Sequence, residues 1–247
     1  MEHDGARRRI PAMNTDSEGV WRKIEKSHLA MIYVVELHGL AASVCRLAGK
    51  VFEAAPAPKS PEESYIKVDH ELHATIYRLL NEAGRIRALL AAPAAKPRNN
   101  QSIVAFEIRQ RRARWLAGLL GGLDLAVLLH PDARHSLEHF DERLDDAGIS
   151  GVLGEIPVPT VFLVDLTLGR GGSFDQFAAK IGNGAYQHAL RVYLAEERVF
   201  VNAGERVDLG ALHREAAAIR DRLAELLPAG ATSGEERGST IPVVVGW

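Results

Sequence analysis

Apolar residues recur every three to five positions from Asp16 to about Ala54 (Trp21, Ile24, Leu29, Ile32, Val35, Leu40, Val44, Leu47, Val51), with no proline among them. That spacing is one face of a long helix, with Asp16 or Ser17 as its cap. The stretch Ala54-Ala-Pro-Ala-Pro-Lys-Ser-Pro61 cannot continue a helix, because proline fixes its own backbone and pushes the preceding residue to extended geometry. Ser60-Pro61-Glu62-Glu63 then supplies a cap, a first-turn proline and carboxylates, and predicts a second helix to about Ala91. Loop chemistry returns from Pro93 to Gln101. A third helix is expected from Ser102, carrying Ile103, Phe106, Trp115, Leu116, Leu119, Leu120 and Leu123. Pro131-Asp132 starts a fourth, short helix with Leu137, Phe140, Leu144 and Ala147 on one face, ended by Gly148.

Beyond Gly148 the helical period disappears. Val161 to Leu168 reads as a single β run followed by a glycine-rich tip, Gly169-Arg-Gly-Gly172. Leu190–Leu194 and Arg198–Asn202 predict a hairpin across Ala195-Glu196-Glu197, a further short strand follows Gly204, and a last helix starts at Asp208 or Gly210 and runs through Leu227. The expected organisation is a disordered N-terminus over 1–15, a helical unit over 16–148, a strand-containing extension with a closing helix over 149–227, and a flexible tail over 228–247. The fold class is mainly α: a four- to five-helix bundle with a small C-terminal α+β extension. Such an extension is too small to bury a core alone and is expected to pack on the helices.

Composition narrows the function classes. Of the 247 residues, 30 are basic and 32 acidic, so no global field draws the chain to nucleic acid or an anionic membrane, and any nucleic-acid contact is local. The single cysteine, Cys45, excludes a disulfide or a Cys-x-x-Cys metal knuckle within one chain. No run of about 18 uncharged residues and no signal-type segment occurs, which gives a cytoplasmic expectation with no membrane partner.

Candidate chemistry is densest in Asp132-Ala-Arg134-His135-Ser-Leu-Glu138-His139, where an arginine, two histidines and a carboxylate gather at a helix start beside an apolar stripe. His135 and His139, four apart, share nearly one face. Arg134 and Glu138 are also placed for an ordinary i,i+4 ion pair, and His139 for a half-buried helix-packing role. This segment resembles the HEPN superfamily, helical proteins of prokaryotic toxin, defence and RNA-processing systems marked by an arginine, four to six residues and a histidine. The residue after that arginine is usually Asn, Asp or His. The resemblance covers roughly residues 16–148.

That resemblance implies RNA cleavage without a metal or other cofactor, by attack of the 2′-hydroxyl on the adjacent phosphate to leave a 2′,3′-cyclic end. His139 would move the proton, Arg134 would stabilise the phosphorane and His135 would orient the phosphate or leaving group. Glu138, Arg109 and Arg112 are the candidate substrate-binding residues. The family's habits further imply a homodimer with the motifs facing one another, and an antitoxin partner.

Two other clusters carry polar chemistry. Asp69-His70-Glu71-Leu-His73 places two histidines three apart, where they could share a metal with His135 or Glu138; no Glu-x-x-His pair occurs on two helices, and a polar helix face is the stronger reading. Arg109, Arg111, Arg112 and Arg114, with Arg85 and Arg87, form the densest basic run, yet their spacing spreads them around the helix. No Walker loop, Gly-x-Gly-x-x-Gly, Gly-x-Ser-x-Gly or His-Glu-x-x-His is present. The reading is a HEPN-like metal-independent endoribonuclease or RNA-binding effector, and the alternative is a non-catalytic helical interaction or ligand-binding protein.

Overall fold

The structure, a computed structural model, describes residues 16–60, 63–92, 102–130, 160–169, 186–202 and 205–227, with the single positions 145 and 149. The fourth helix expected after Pro131, both termini and residues 170–172 of the glycine-rich tip lie outside the described residues.

The long N-terminal pattern forms two helices rather than one, α1 (Ser17–Glu25) and α2 (His28–Ala54). Ser27 causes the break: its backbone is extended, its hydroxyl donates to the Ile24 carbonyl at 2.7 Å, and it accepts the Leu29 amide at 3.2 Å. Serine thus satisfies a carbonyl of one helix and an amide of the next, which periodicity does not reveal. The second predicted helix also starts later than expected. Ile66–Val68 is a strand, β1, and helix α3 (His70–Leu90) begins only after Asp69, whose carboxylate caps the Leu72 amide at 2.9 Å. The third, α4 (Ile103–Leu120), is capped by Ser102 as expected and stops at Gly121, whose φ of 55° suits a residue without Cβ. A one-turn helix, α5 (Ala126–Leu129), follows, and α6 (Leu209–Ala224) closes the described fold behind its cap Asp208.

Helix α2 lies between α3 and α6. Leu37, Ala41, Val44, Ala48 and Val51 are fully buried at alternating spacings of four and three, and they meet Ile76, Leu79, Leu80 and Ile86 of α3 and Leu212, Ala216, Ile219 and Leu223 of α6. Each large side chain so buried contributes about 1.5–3 kcal/mol. By length and composition Leu29–Ala54 would suffice to cross a membrane, but in the fold it is the core helix, with its buried face spent on neighbouring helices. Helix α4 packs on α3, and Trp115 meets Trp21 of α1 edge-on with ring centroids 6.1 Å apart.

The strands form a five-stranded mixed sheet in the order β1-β3-β5-β6-β7, made of β1 with β3 (Leu166–Leu168), β5 (Arg191–Leu194), β6 (Val199–Asn202) and β7 (Glu205–Asp208). A separate parallel pair joins β2 (Thr160–Leu163) and β4 (Tyr186–Ala189). The β5–β6 hairpin, the β7 strand and the closing helix agree with the sequence pattern. The Val161–Leu168 run does not stay whole: it divides at Asp165, whose φ of 53° lies in the left-handed region. Alternation along β5 and β6 sends Tyr193 and Phe200 into the helical core, while Val192 and Leu194 join Leu163, Leu166 and Leu168 in a smaller cluster. The protein is therefore mainly α-helical with a small mixed sheet whose inner face shares the helices' core.

Candidate functional site

The residues expected to carry catalysis, Arg134, His135 and His139, and the substrate candidate Glu138 lie outside the described residues. The chain leading into them is described. The Glu215 carboxylate of α6 accepts the Val127 and Leu128 amides at 3.0 and 2.7 Å, which pins the start of α5, and Arg87 of α3 donates to the Leu129 carbonyl at 2.9 Å. The segment that continues into Pro131 thus departs from a point tied to both α3 and α6.

Arg109 and Arg112 separate. Arg109 is exposed on α4. Arg112 turns inward, donates to the Ala88 carbonyl of α3 at 2.8 Å and lies 5.7 Å from the Tyr33 ring centroid. Burial lowers its pKa, and its guanidinium acts as a tie between three helices. The spread around α4 that the spacing predicts is why one arginine faces water and its neighbour three positions on faces protein.

The strongest polar constellation among the described residues forms where α3 begins against the sheet. Asp69 ends β1 and caps α3, and its amide donates to the Asp165 carbonyl at 3.0 Å, so the helix start and the β2–β3 break are joined through backbone. His70, the first helical residue, then brings Nδ1 to 2.5 Å from Asp165 Oδ2. Arg191, at the head of β5, grips the same carboxylate twice, with Nε 2.8 Å from Oδ1 and Nη2 3.2 Å from Oδ2. The Asp165 side chain is only 7% exposed, whereas the His70 side chain is 77% exposed.

One turn further along α3, His73 is buried and its Nε2 lies 3.2 Å from the Leu166 carbonyl, so that nitrogen carries the proton and donates. Its Nδ1 is then a bare lone pair, 3.9 Å from Asp165 Oδ1. Burial holds the His73 pKa down to about 4, against the opposing pull of Asp165, so the ring is neutral at pH 7. Tyr77, a further turn along, packs edge-on against Phe200 and reaches Arg191; burial raises its pKa. Asp69 is lowered, first by the Leu72 amide it accepts and then by Lys67, which pairs with it at 3.0 Å.

This arrangement has one chemical outlet. Asp165, fixed by Arg191, accepts the Nδ1 proton of His70 and fixes the tautomer, leaving the Nε2 lone pair of an exposed ring to take up or release a proton. The shared metal site considered for His70 and His73 needs His135 or Glu138, which lie outside the described residues; among the described residues no group of three or more His, Cys, Asp and Glu converges to hold a metal ion.

No family model, curated protein or solved structure matches the chain. Its own residues therefore carry the functional argument. Sequence reading reached His70 and His73 but missed Asp165 and Arg191. The available signal was a lone acid inside an otherwise apolar β run; a carboxylate there needs a buried partner, and Arg191 opens the next strand but one in the chain.

Proposed function

We propose that the protein is a HEPN-like, metal-independent endoribonuclease that works as a homodimer, with Arg134 and His139 as its catalytic pair and His135 as the phosphate-orienting group. The observation that carries the reading is the Arg134-His135-x3-His139 motif placed directly after a one-turn helix clamped by Glu215 and Arg87. The mainly helical scaffold supports it, with α2, α3 and α4 read as the long helices of the bundle. In this reading the 2′-hydroxyl attacks the adjacent phosphate, its proton passes to His139, and the 5′-oxygen leaves with a proton from the site, so a 2′,3′-cyclic phosphate and a 5′-hydroxyl form. Arg134 stabilises the added negative charge on the phosphorane.

A second placement of the proton-transfer step is favoured by the His70–Asp165 geometry, because a buried, doubly held carboxylate orients an exposed imidazole there. The two placements separate in one assay. A labelled single-stranded RNA is incubated in EDTA with wild type, His139→Ala and His70→Gln, and a DNA of the same sequence serves as control. Cleavage of RNA alone, lost in His139→Ala and kept in His70→Gln, is the expected result. Loss in His70→Gln with retention in His139→Ala transfers catalysis to the α3 site. An inert wild type removes the nuclease and leaves the non-catalytic interaction protein.

A further inference from the structure

His70 combines two properties that the buried histidines of the fold do not. His38 and His73 are enclosed, and His213 is half-buried. The His70 side chain is 77% exposed, yet its Nδ1 stands 2.5 Å from a carboxylate that is 7% exposed. An ionised carboxylate only accepts, so Nδ1 carries the proton and the lone pair of Nε2 is left on the open edge of the ring.

Asp165 is held as firmly as it holds. Arg191 brings Nε to 2.8 Å from one of its oxygens and Nη2 to 3.2 Å from the other, and the Asp69 amide donates to its backbone carbonyl at 3.0 Å. The imidazole is therefore a nucleophile with one tautomer and a counter-charge behind it. When an electrophile bonds to Nε2 while Nδ1 keeps its proton, the ring becomes an imidazolium. Asp165 at Nδ1 balances that charge, so no proton has to leave.

Exposure selects the electrophile. An acyl group on so open a ring is lost to water, whereas an N-phosphoryl group survives at neutral and alkaline pH. A phosphoryl dianion is also favoured on the first residue of the 21-residue helix α3, where the positive pole of the helix lies. Of the neighbouring carboxylates, Asp69 is paired with Lys67 at 3.0 Å and Asp165 with Arg191. Glu71, next along α3, is exposed, so water and salt screen its charge. The chain has no Walker loop to activate a nucleoside triphosphate, so the group must come from a donor whose phosphorus–nitrogen bond is already activated.

We propose that His70 is a phosphoryl-acceptor site, modified at Nε2 by a phosphoramidate-type donor, with Asp165 and Arg191 as its positioning residues. In the step, the Nε2 lone pair attacks phosphorus and the donor's phosphorus–nitrogen bond breaks. The donor nitrogen leaves as a neutral amine with the bonding pair and the protons it already carries, and the Nδ1 proton stays between His70 and Asp165. The site goes beyond the ribonuclease reading and uses no residue of the Arg134–His139 motif.

The test incubates the full chain with potassium phosphoramidate at mildly alkaline pH and maps phosphohistidine by mass spectrometry, the other histidines of the chain serving as internal standards. Phosphorus NMR of the isolated peptide identifies the isomer. The expected result is labelling of His70 about tenfold or more ahead of every other histidine, as the Nε2 isomer. That lead should vanish in urea, where His70 and Asp165 separate, and His70→Gln should remove the leading label. Asp165→Asn, with its folding checked by circular dichroism, should slow His70 to the rate of the other exposed histidines. Even labelling of the exposed histidines in the folded chain overturns the site, as does an Nδ1 product at His70, a lead that persists in urea, or full-rate labelling of folded Asp165→Asn. Should Asp165→Asn not fold, the isomer and the urea comparison decide.

Discussion

His70 Nδ1 and Asp165 Oδ2 stand 2.5 Å apart although ninety-five positions separate them in the chain. The pair joins the first residue of a core helix to a break between two strands, and Arg191 completes it from a third strand. Its geometry has a consequence for stability as well as for proton transfer. Asp165 sits in the left-handed region, where an ordinary L-residue costs about 1–2 kcal/mol, and it is kept there by what its carboxylate holds.

Replacing Asp165 separates those two contributions. Asp165→Ala is expected to lower the unfolding free energy by about 3 kcal/mol, the low end for removing one partner of a buried ion pair, since Arg191 retains partial access to water. Asp165→Gly loses the same carboxylate but tolerates the backbone, and should fall about 1 kcal/mol less than the alanine variant. Urea midpoints of the two proteins measure the difference; equal midpoints would show that the φ of 53° carries no cost.

Acid should weaken the fold through His73. Its folded pKa, about 4, lies below the ordinary value of 6.5, so the folded state binds the proton less readily than the unfolded chain. The stabilisation is therefore complete above pH 6.5 and disappears as pH falls toward 4, amounting to roughly 3 kcal/mol. His73→Gln keeps a donor for the Leu166 carbonyl and removes the titration. A plot of unfolding free energy against pH should be flatter for this variant between pH 6.5 and 4; parallel curves would assign the acid sensitivity to other groups.

Glu215 should govern the order of the chain that leads into the motif. Its carboxylate takes the Val127 and Leu128 amides, and Glu215→Ala removes two charge-assisted hydrogen bonds at a cost of about 2 kcal/mol. Hydrogen exchange is the direct readout. The Val127 and Leu128 amides should lose protection in the variant, while amides in the middle of α3 keep theirs.

The two-helix N-terminus depends on one side chain. Ser27→Ala removes both the bond to the Ile24 carbonyl and the acceptor for the Leu29 amide, and is expected to cost about 1 kcal/mol of stability. Asparagine in the same position should restore most of the lost stability, a result that thermal melts of the two variants would resolve.

Much of the architecture was legible because it rests on local signals. The periodic apolar faces of α2 and α4, the Ser102 and Asp208 caps and the β5–β6 hairpin all arise from interactions within a few residues. Local information failed where a distant partner decided the outcome. Ile66–Val68 follows a helix-start pattern, yet it pairs with Leu166–Leu168 one hundred positions away, and α3 therefore waits until Asp69. The Val161–Leu168 run has β-type composition throughout, but it divides where Asp165 turns its carboxylate toward α3 and Arg191.

The same division holds for the chemistry. The Arg134-His135-x3-His139 motif is a sequence feature, complete in its spacing and read without any fold. Spacing alone, however, made His70 and His73 equivalent candidates. Tertiary structure made them opposites: His70 is exposed with an oriented ring, while His73 is buried, neutral and bonded to backbone. Residue order by itself determined the helix faces, the caps and the hairpin, because each is settled by hydrogen bonds and packing within a turn or two. Only the folded chain decided which polar groups meet, since Asp165 finds its partners after α3 and β5 have been brought together by burial of the core they share.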